Sequence, residues 1–162
     1  MPNHITNLLT IKHHRPELFR DNNKNGTHLL SFAQSVPPPP DIEPTMSILS
    51  KESEWFCEHW GTKWDCYDVE FVQPDENTLV YKFLTAWTAP EYWLKRVSEL
   101  YTHGKFDLKW CDEDYWECGH FYSERGKIKQ IEYYNNDDPS TEKPAVEFLR
   151  QYFPQELAKQ SE

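Results

Sequence analysis

Glycine and long apolar runs are both scarce in this sequence. Only 5 of its 162 residues are glycine, so no glycine-rich loop can cradle a phosphate, and no Gly-x-Ser-x-Gly turn marks a serine nucleophile. No apolar run approaches the roughly 20 residues that a membrane helix needs, and the N-terminus lacks the apolar segment of a signal peptide. We therefore expect a soluble, intracellular protein that uses no cofactor, and the sequence favours a non-enzymatic protein without catalytic residues.

Basic residues are also few, with 17 Lys and Arg against 27 Asp and Glu and a net charge of -10. Between Asp41 and Glu76 there are ten acidic residues and only Lys51 and Lys63. Nonspecific nucleic-acid binding is disfavoured, because neutralising phosphates needs a larger basic patch. The charge suits an acidic face that binds a basic protein or imitates nucleic acid in front of one, and the alternative is a solvated acidic surface.

The four cysteines are expected to be reduced thiols, because no signal peptide directs the chain to an oxidising compartment. Two of them occur as Cys-x-His, and on a strand that spacing places Cys118 and His120 on one face. With a tight turn near Asp114, Cys111 would lie opposite Cys118, so a metal set of Cys111, Cys118 and His120 is conceivable. Structural zinc usually has four ligands, so we predict ordinary thiols and no metal site.

The chain is organised around a tryptophan-rich stretch and the hairpin that follows it. Aromatic residues make up 15% of the chain, so the core should be largely aromatic. A helix from Ser50 should end at Gly61, which supplies the left-handed residue common at helix ends. Two alternating runs then predict paired strands around a turn at 74–77. The predicted partners are Tyr67 with Phe83, Val69 with Tyr81, and Phe71 with Leu79.

The other elements follow from similar patterns. Asn3 to Lys12 alternates as a first strand, with Asn7 on its apolar face in need of a partner. Pro16 suits the start of a short helix, and Pro37 to Pro40 predicts a rigid extended crossover. Later patterns predict a helix with a capping box at 88–91, strands at 106–110, 116–123 and 127–134 with a tight turn at 125–126, and a last helix capped by Thr141.

This order of elements predicts an α+β protein with the ferredoxin-like fold. In that fold two split β-α-β units form an antiparallel sheet with helices on one face. The first strand should lie in the middle of the sheet, and the late hairpin arm should extend one edge. The final helix should cover sheet that the basic motif leaves bare. We predict a single domain over residues 1–154 and a polar tail at 155–162.

A family resemblance is carried by three segments. These are the sequence from Trp60 to Asp65, the segment Thr85 to Pro90 that closes the strand pair, and the N-terminal Met1-Pro2-Asn3 strand. Together they resemble the YubB-like family of plasmid and phage proteins. The resemblance implies a ferredoxin-like domain without an established activity, and an accessory protein of a mobile genetic element in a bacterial cytoplasm.

The leading functional hypothesis is a protein-interaction module with an acidic, aromatic-rich surface, one version of which inhibits a host defence or DNA-binding protein. The predicted binding residues are Trp60, Lys63, Trp64, Asp65, Asp68, Glu70 and Trp87. A second hypothesis is a single-stranded nucleic-acid-binding module that stacks bases on Trp64, Trp87 or Tyr81. A third is a metal-dependent enzyme, which would need stoichiometric metal in the purified protein.

Overall fold

A computed structural model describes residues 4–19, 21–22, 28–41, 50–114, 117–135 and 142–154. The strands are β1 (His4–Lys12), β2 (Asp21–Asn22), β3 (His28–Leu29), β4 (Tyr67–Asp75), β5 (Thr78–Ala86), β6 (Lys105–Asp112), β7 (Glu117–Glu124) and β8 (Lys127–Asn135). The helices are a 3-10 turn at Pro16–Phe19, α1 (Phe32–Ser35), α2 (Ser50–His59), α3 (Glu91–Leu100) and α4 (Glu142–Tyr152).

The main sheet has six antiparallel strands in the order β4-β5-β1-β6-β7-β8. β1 lies inside the sheet, between β5 and β6, and its odd-numbered residues are buried from Ile5 to Ile11. Both results confirm the sequence prediction, since a strand paired on two sides with one apolar face is an interior strand. The hairpin arm β7-β8 extends the edge beyond β6, as predicted.

Asn7 occupies the predicted position on the buried face of β1. Its Nδ2 donates hydrogen bonds to Thr85 Oγ1 at 2.9 Å and to the Ile5 carbonyl at 3.1 Å. The need for a partner on the apolar face is therefore met across the strand pair β1-β5, because a buried amide without hydrogen bonds would be costly.

The register predicted for the central hairpin is wrong. Phe71 pairs with Tyr81 rather than with Leu79, and Tyr67 pairs with Leu84 rather than with Phe83. The register shifts between Tyr67 and Glu70, where Asp68 adopts a φ of 51°. A bulge inserts one extra residue in one strand. A second register shift lies between Val72 and Asp75. From Glu70 to Val72 the pairing is displaced by two residues from the prediction, which leaves Phe71 on the same face of the sheet.

The helices α2 and α3 share one face of the sheet, as predicted, and the added final helix α4 covers the opposite face, which they leave bare. Trp93, Leu94 and Val97 of α3 belong to the large core together with odd-numbered residues of β1. Phe148 and Leu149 of α4 belong to a second cluster on the opposite face. Its buried members are Cys111, Cys118, Phe148, Leu149 and Phe153, and Leu8, Tyr134 and Tyr152 pack against them. Because side chains alternate along a strand, these two clusters are on opposite sides of β6.

Several helix and turn predictions can be compared with the structure. Gly61 follows α2 with a φ of 84°, and its N–H donates to the Phe56 carbonyl at 3.1 Å, which confirms the predicted helix end. The tight turn at Arg125 and Gly126 is confirmed by positive φ angles at both. The prediction of a capping box at 88–91 is wrong, because the residue that precedes α3 is Pro90 and no side chain caps the helix. Three predictions fall outside the described residues, namely those for residues 1–3, Thr141 and the tail at 155–162. The single domain over residues 1–154 and the rigid crossover from Pro37 to Pro40 stay predictions.

Candidate functional site

Two of the predicted binding tryptophans belong to the core. Trp60 is fully buried and stacks on Phe56, with ring centroids 4.7 Å apart. Its Nε1 donates to the Val36 carbonyl at 3.0 Å. Trp64 is 7% exposed. These two rings stabilise the turn after α2 and have almost no surface to offer a partner.

Tyr81 is buried as well, which bears on the base-stacking hypothesis. Its ring lies against Phe71 on the covered face of the sheet, and its hydroxyl donates to the Phe19 carbonyl at 2.9 Å. Tyr81 and Trp64 therefore have no exposed face on which a base could stack. Of the three rings proposed for stacking, Trp87 is the exposed one.

Asp65 holds the start of α1 in place. One carboxylate oxygen accepts from the N–H groups of Phe32 and Cys66, both at 2.8 Å. The other accepts from the Ser31 hydroxyl at 3.0 Å and the Ala33 N–H at 3.3 Å. Burial raises the pKa of this carboxyl in spite of the hydrogen bonds, which act in the opposite direction. With both oxygens engaged by the chain, Asp65 has a structural role.

Trp87 and Lys63 are partners at the end of the hairpin. The Trp87 side chain is 46% exposed, and its backbone is left-handed with a φ of 77°. Lys63 Nζ lies 4.5 Å from the Trp87 ring centroid and 5.1 Å from that of Trp64. An ammonium group at this distance is attracted to the ring face. The contact orients a large exposed ring beside the buried turn.

Acidic residues converge on the same end of the sheet. Burial, followed by the negative charges of Asp68 and Glu113, raises the pKa of Tyr67 to about 12. Tyr67 also hydrogen-bonds His4, and its ring lies 6.4 Å from that of Trp64. We define the Trp87 surface as five residues that the strand registers place at this end of the sheet: Lys63, Tyr67, Asp68, Trp87 and Glu113. Glu70, the remaining predicted residue, is exposed on β4 opposite Lys82.

Cys111 and Cys118 lie directly opposite each other on β6 and β7, as the sequence predicted. Both are buried, and burial, followed by the charge of Asp112, raises the pKa of Cys118 to about 12. A thiol must lose its proton to ligate a metal. His120, the third residue of the predicted metal set, forms a hydrogen bond with Asp107. Within the described part of the chain, no three His, Cys, Asp or Glu residues are placed to hold a metal ion.

A polar network that sequence reasoning missed occupies the face of the sheet beside α4. Asp107 accepts from Lys109 Nζ at 2.6 Å through one oxygen, and its other oxygen lies 3.0 Å from His120 Nε2. His120 Nδ1 lies 3.9 Å from Glu132 Oε2. Burial would raise the pKa of Asp107, but the hydrogen bonds and charges of His120 and Lys109 outweigh it and lower the pKa.

A shallow pocket of about 330 Å³ opens beside this network. Its lining residues come from the middle strands of the sheet and from β7: Thr10, Lys12, Lys105, Asp107, Lys109 and Tyr122. The signal was present in the sequence, because Lys105, Asp107 and Lys109 alternate along one strand and must share a face. Charged residues that alternate along a strand usually mark a solvent-exposed face, so this pattern alone does not predict a pocket.

A second groove, of about 450 Å³, lies between α3 and the β7-β8 arm. Ile131 is 60% exposed there, Tyr92 is 52% exposed, and Phe121 forms part of the lining. The charges that line it are Glu91, Glu99, Lys95 and Lys127. Because the groove has two positive and two negative side chains, it lacks the acidic character expected of the binding surface.

Comparison with known proteins bears on the fold rather than on the chemistry. None of the described helices is long and apolar enough to cross a membrane. No curated protein matches the sequence. A crystal structure of a protein api92 from Yersinia pseudotuberculosis is similar at 13% sequence identity, with a TM-score of 0.47. The match covers 55% of this chain and 32% of that one, so this chain spans about a third of its length.

A family model supplies the clearer relationship. Residues 60–148 match the family described as the ferredoxin-like domain in Api92-like protein. The matched segment runs from the buried Trp60 through the central hairpin, α3 and the β7-β8 arm into α4. The ferredoxin-like domain expected from the sequence is thus confirmed. Since the match covers more than half of its residues, this chain belongs to the family of Api92-like proteins with a ferredoxin-like domain.

Proposed function

We propose that this protein is a non-enzymatic interaction module that binds a basic protein through the Trp87 surface. The observation that carries the proposal is the half-exposed Trp87 ring, held against Lys63 at the end of the sheet where Asp68 and Glu113 converge on Tyr67. Tryptophan and tyrosine are enriched among the residues that dominate binding energies at protein interfaces.

The backbone at this position supports a role beyond packing. A left-handed φ is uncommon for a residue other than glycine, and it is strained for a bulky one. Trp87 adopts it while its ring is about half solvent-exposed. Strain of this kind persists where surrounding structure enforces it, here through the Lys63 N–H donating to the Ala86 carbonyl at 3.2 Å. The result is a large ring presented in one orientation.

The charge of the chain supports a basic partner. The net charge is -10, and Asp68, Glu70 and Glu113 are exposed on or beside the Trp87 surface. Complementary charges raise association rates and select partners more than they raise affinity. Binding through this surface should therefore weaken as salt is added, because exposed charges are screened.

The resemblance to YubB-like proteins extends the proposal. We infer an accessory protein of a plasmid or phage that acts in the cytoplasm of its bacterial host, where inhibition of a defence or DNA-binding protein would suit an acidic surface. In the same terms, we propose that β4, β5, β1 and β6 are the four strands of two split β-α-β units, which the strand order β4-β5-β1-β6 supports.

The test is affinity purification of a partner with matched surface variants. Trp87→Ala and the pair Asp68→Lys with Glu113→Lys should each abolish recovery of a basic partner that the unaltered protein retains at low salt. Tyr133→Ala removes a comparably exposed ring, and Glu99→Lys with Glu147→Lys makes the same change in charge elsewhere. These controls should retain the partner. Recovery that is equal for all variants would refute the proposal.

A further inference from the structure

Three lysines converge on one pocket of this acidic protein. Lys12 on β1 and Lys105 and Lys109 on β6 line the 330 Å³ pocket described above. Lys12 and Lys105 are directly opposite each other in the β1-β6 register. Like charges in directly opposed positions destabilise a sheet. The chain has 17 basic residues in all, so the placement of three around one concavity needs a reason.

The third lysine is held in position by the protein itself. The Lys109 side chain is only 14% exposed. Its Nζ lies 2.6 Å from Asp107 Oδ1 and 4.6 Å from the ring centroid of Tyr152 on α4. Asp107 is held in turn by His120. Because Asp107 and Tyr152 already hold the ammonium group, it loses little conformational entropy when a ligand binds, which lowers the entropic cost of binding.

The charge of the pocket is positive after its own acid is counted. Lys12, Lys105 and Lys109 contribute +3 and Asp107 contributes -1, which leaves +2 for the lining residues. Two carboxylates flank the pocket. Glu124 is opposite Lys105 and accepts from the Tyr122 hydroxyl at 3.1 Å. The pKa of Asp75 is lowered mainly by hydrogen bonds from Asn77 and Thr78, and to a smaller extent by Lys12.

The pocket also offers neutral hydrogen-bonding groups. Thr10 precedes Lys12 on the same face of β1, and Tyr122 is opposite Asp107 on β7. The Thr10 hydroxyl can donate one hydrogen bond, whereas the Tyr122 hydroxyl already donates to Glu124. Ammonium and hydroxyl donors arranged around a concave site suit a compact oxyanion with several acceptor oxygens. A single carboxylate would leave part of the positive charge unmatched.

We propose that this pocket binds a phosphate group, and that it prefers a phosphomonoester or free phosphate to the diester of a nucleic-acid backbone. A phosphomonoester carries a charge of about -1.5 to -2 at neutral pH and three strong acceptor oxygens, which matches the +2 of the lining. A backbone diester carries a single charge per phosphate. The bound phosphate would face the opposed pair Lys12 and Lys105.

The experiment follows the backbone amides of the full chain by NMR as ligand is added to millimolar concentration. The ligands are inorganic phosphate, adenosine 5'-monophosphate, an oligothymidylate without terminal phosphates, and sodium chloride at equal ionic strength. Phosphate and the monophosphate should shift the amides of Thr10, Lys12, Lys105, Lys109 and Tyr122. Equal binding of the two would identify the phosphate group alone as the ligand, and tighter binding of adenosine monophosphate would identify a nucleotide.

The remaining outcomes oppose the proposal. If no amide around the pocket moves with phosphate, or if chloride moves the same amides equally, the pocket is not a phosphate site. If the oligothymidylate binds more tightly than adenosine monophosphate, the preference for a monoester is wrong.

A pair of matched variants separates the pocket from general charge. Lys12→Gln with Lys105→Gln should weaken phosphate binding about tenfold or more, because each lysine supplies a charge-assisted hydrogen bond. Lys95→Gln with Lys129→Gln makes the same change in charge on α3 and β8 and should leave the affinity unaltered. Unchanged phosphate affinity in the variant Lys12→Gln with Lys105→Gln would overturn the assignment.

Discussion

The indole of Trp110 lies against the α-carbon of Gly119, its direct partner on the neighbouring strand. A Cβ at position 119 would be 2.5 Å from Trp110 Nε1 and 2.7 Å from the Glu132 carbonyl oxygen. Glycine is needed here because a larger residue and the indole cannot occupy the same space, and β8 closes the other side.

We therefore expect Gly119→Ala to lower the free energy of unfolding by about 1 to 3 kcal/mol, the usual cost of overpacking a filled site. Urea denaturation measures it. The same substitution made in a Trp110→Leu background should cost less, because the conflict with the indole is gone and only that with the Glu132 carbonyl oxygen remains. An equal loss in both backgrounds would show that the indole is not the cause.

Asp65 and Asp68 are predicted to differ sharply although they are three residues apart. Asp65→Ala removes a carboxylate that accepts four hydrogen bonds around the start of α1, and it should lower the free energy of unfolding by about 2 kcal/mol. Asp68→Asn keeps a residue type that tolerates the left-handed backbone and should change it by less than about 0.5 kcal/mol. Equal effects in chemical denaturation would contradict the capping role.

The network around Asp107 predicts a dependence of stability on pH. Hydrogen bonds from His120 and Lys109 outweigh burial and lower the pKa of Asp107 below its usual 3.8. The unfolded chain then binds this proton more readily than the folded one. The contribution to stability is complete above pH 3.8 and is lost as the pH falls through the lower folded pKa.

Asp107→Asn should remove that part of the acid sensitivity. Unfolding free energies measured between pH 2 and 6 should thus converge for the variant and the unaltered protein at the acid end. His120→Ala should remove only part of it, because Lys109 still contacts the carboxylate. Parallel pH profiles for all three proteins would mean that Asp107 is not stabilised by these partners.

The interior position of β1 could be predicted from the sequence, because alternating apolar and polar residues show which face of a strand is buried. β1 has apolar residues at every second position apart from Asn7, and the opposition of Cys111 to Cys118 followed from the length of one turn. The hairpin register could not be obtained in this way. A displacement of two residues keeps Phe71 and Tyr81 on the buried face, so the hydrophobic pattern is the same for both registers. The two-residue turn at 76–77 and the register shift between Val72 and Asp75 set the observed pairing.

The position of α4 and the identity of the exposed residues were harder to predict. Leu8, Cys111 and Cys118 lie on the face opposite the main core, where they give α4 an apolar base. Along each strand the neighbours on that face are mostly polar, such as Thr6, Thr10 and Lys109, so the sequence does not mark it as a buried face. Trp60, Trp64 and Trp87 look equivalent as residues. Their different exposure depends on the turn after α2, whose contacts with α1 and β5 join distant parts of the chain.

Tyr67 supplies a direct test of the Trp87 surface. Burial, followed by Asp68 and Glu113, raises its pKa to about 12 from the usual 10, so the folded protein holds this proton more tightly and its contribution to stability is lost as the pH rises from 10 to 12. In an ultraviolet titration, Tyr67→Phe should remove one late-ionising phenol. Asp68→Asn with Glu113→Gln should move that phenol to lower pH without changing how many titrate. A late phenol that stays in place after both carboxylates are neutralised would show that they do not converge on Tyr67.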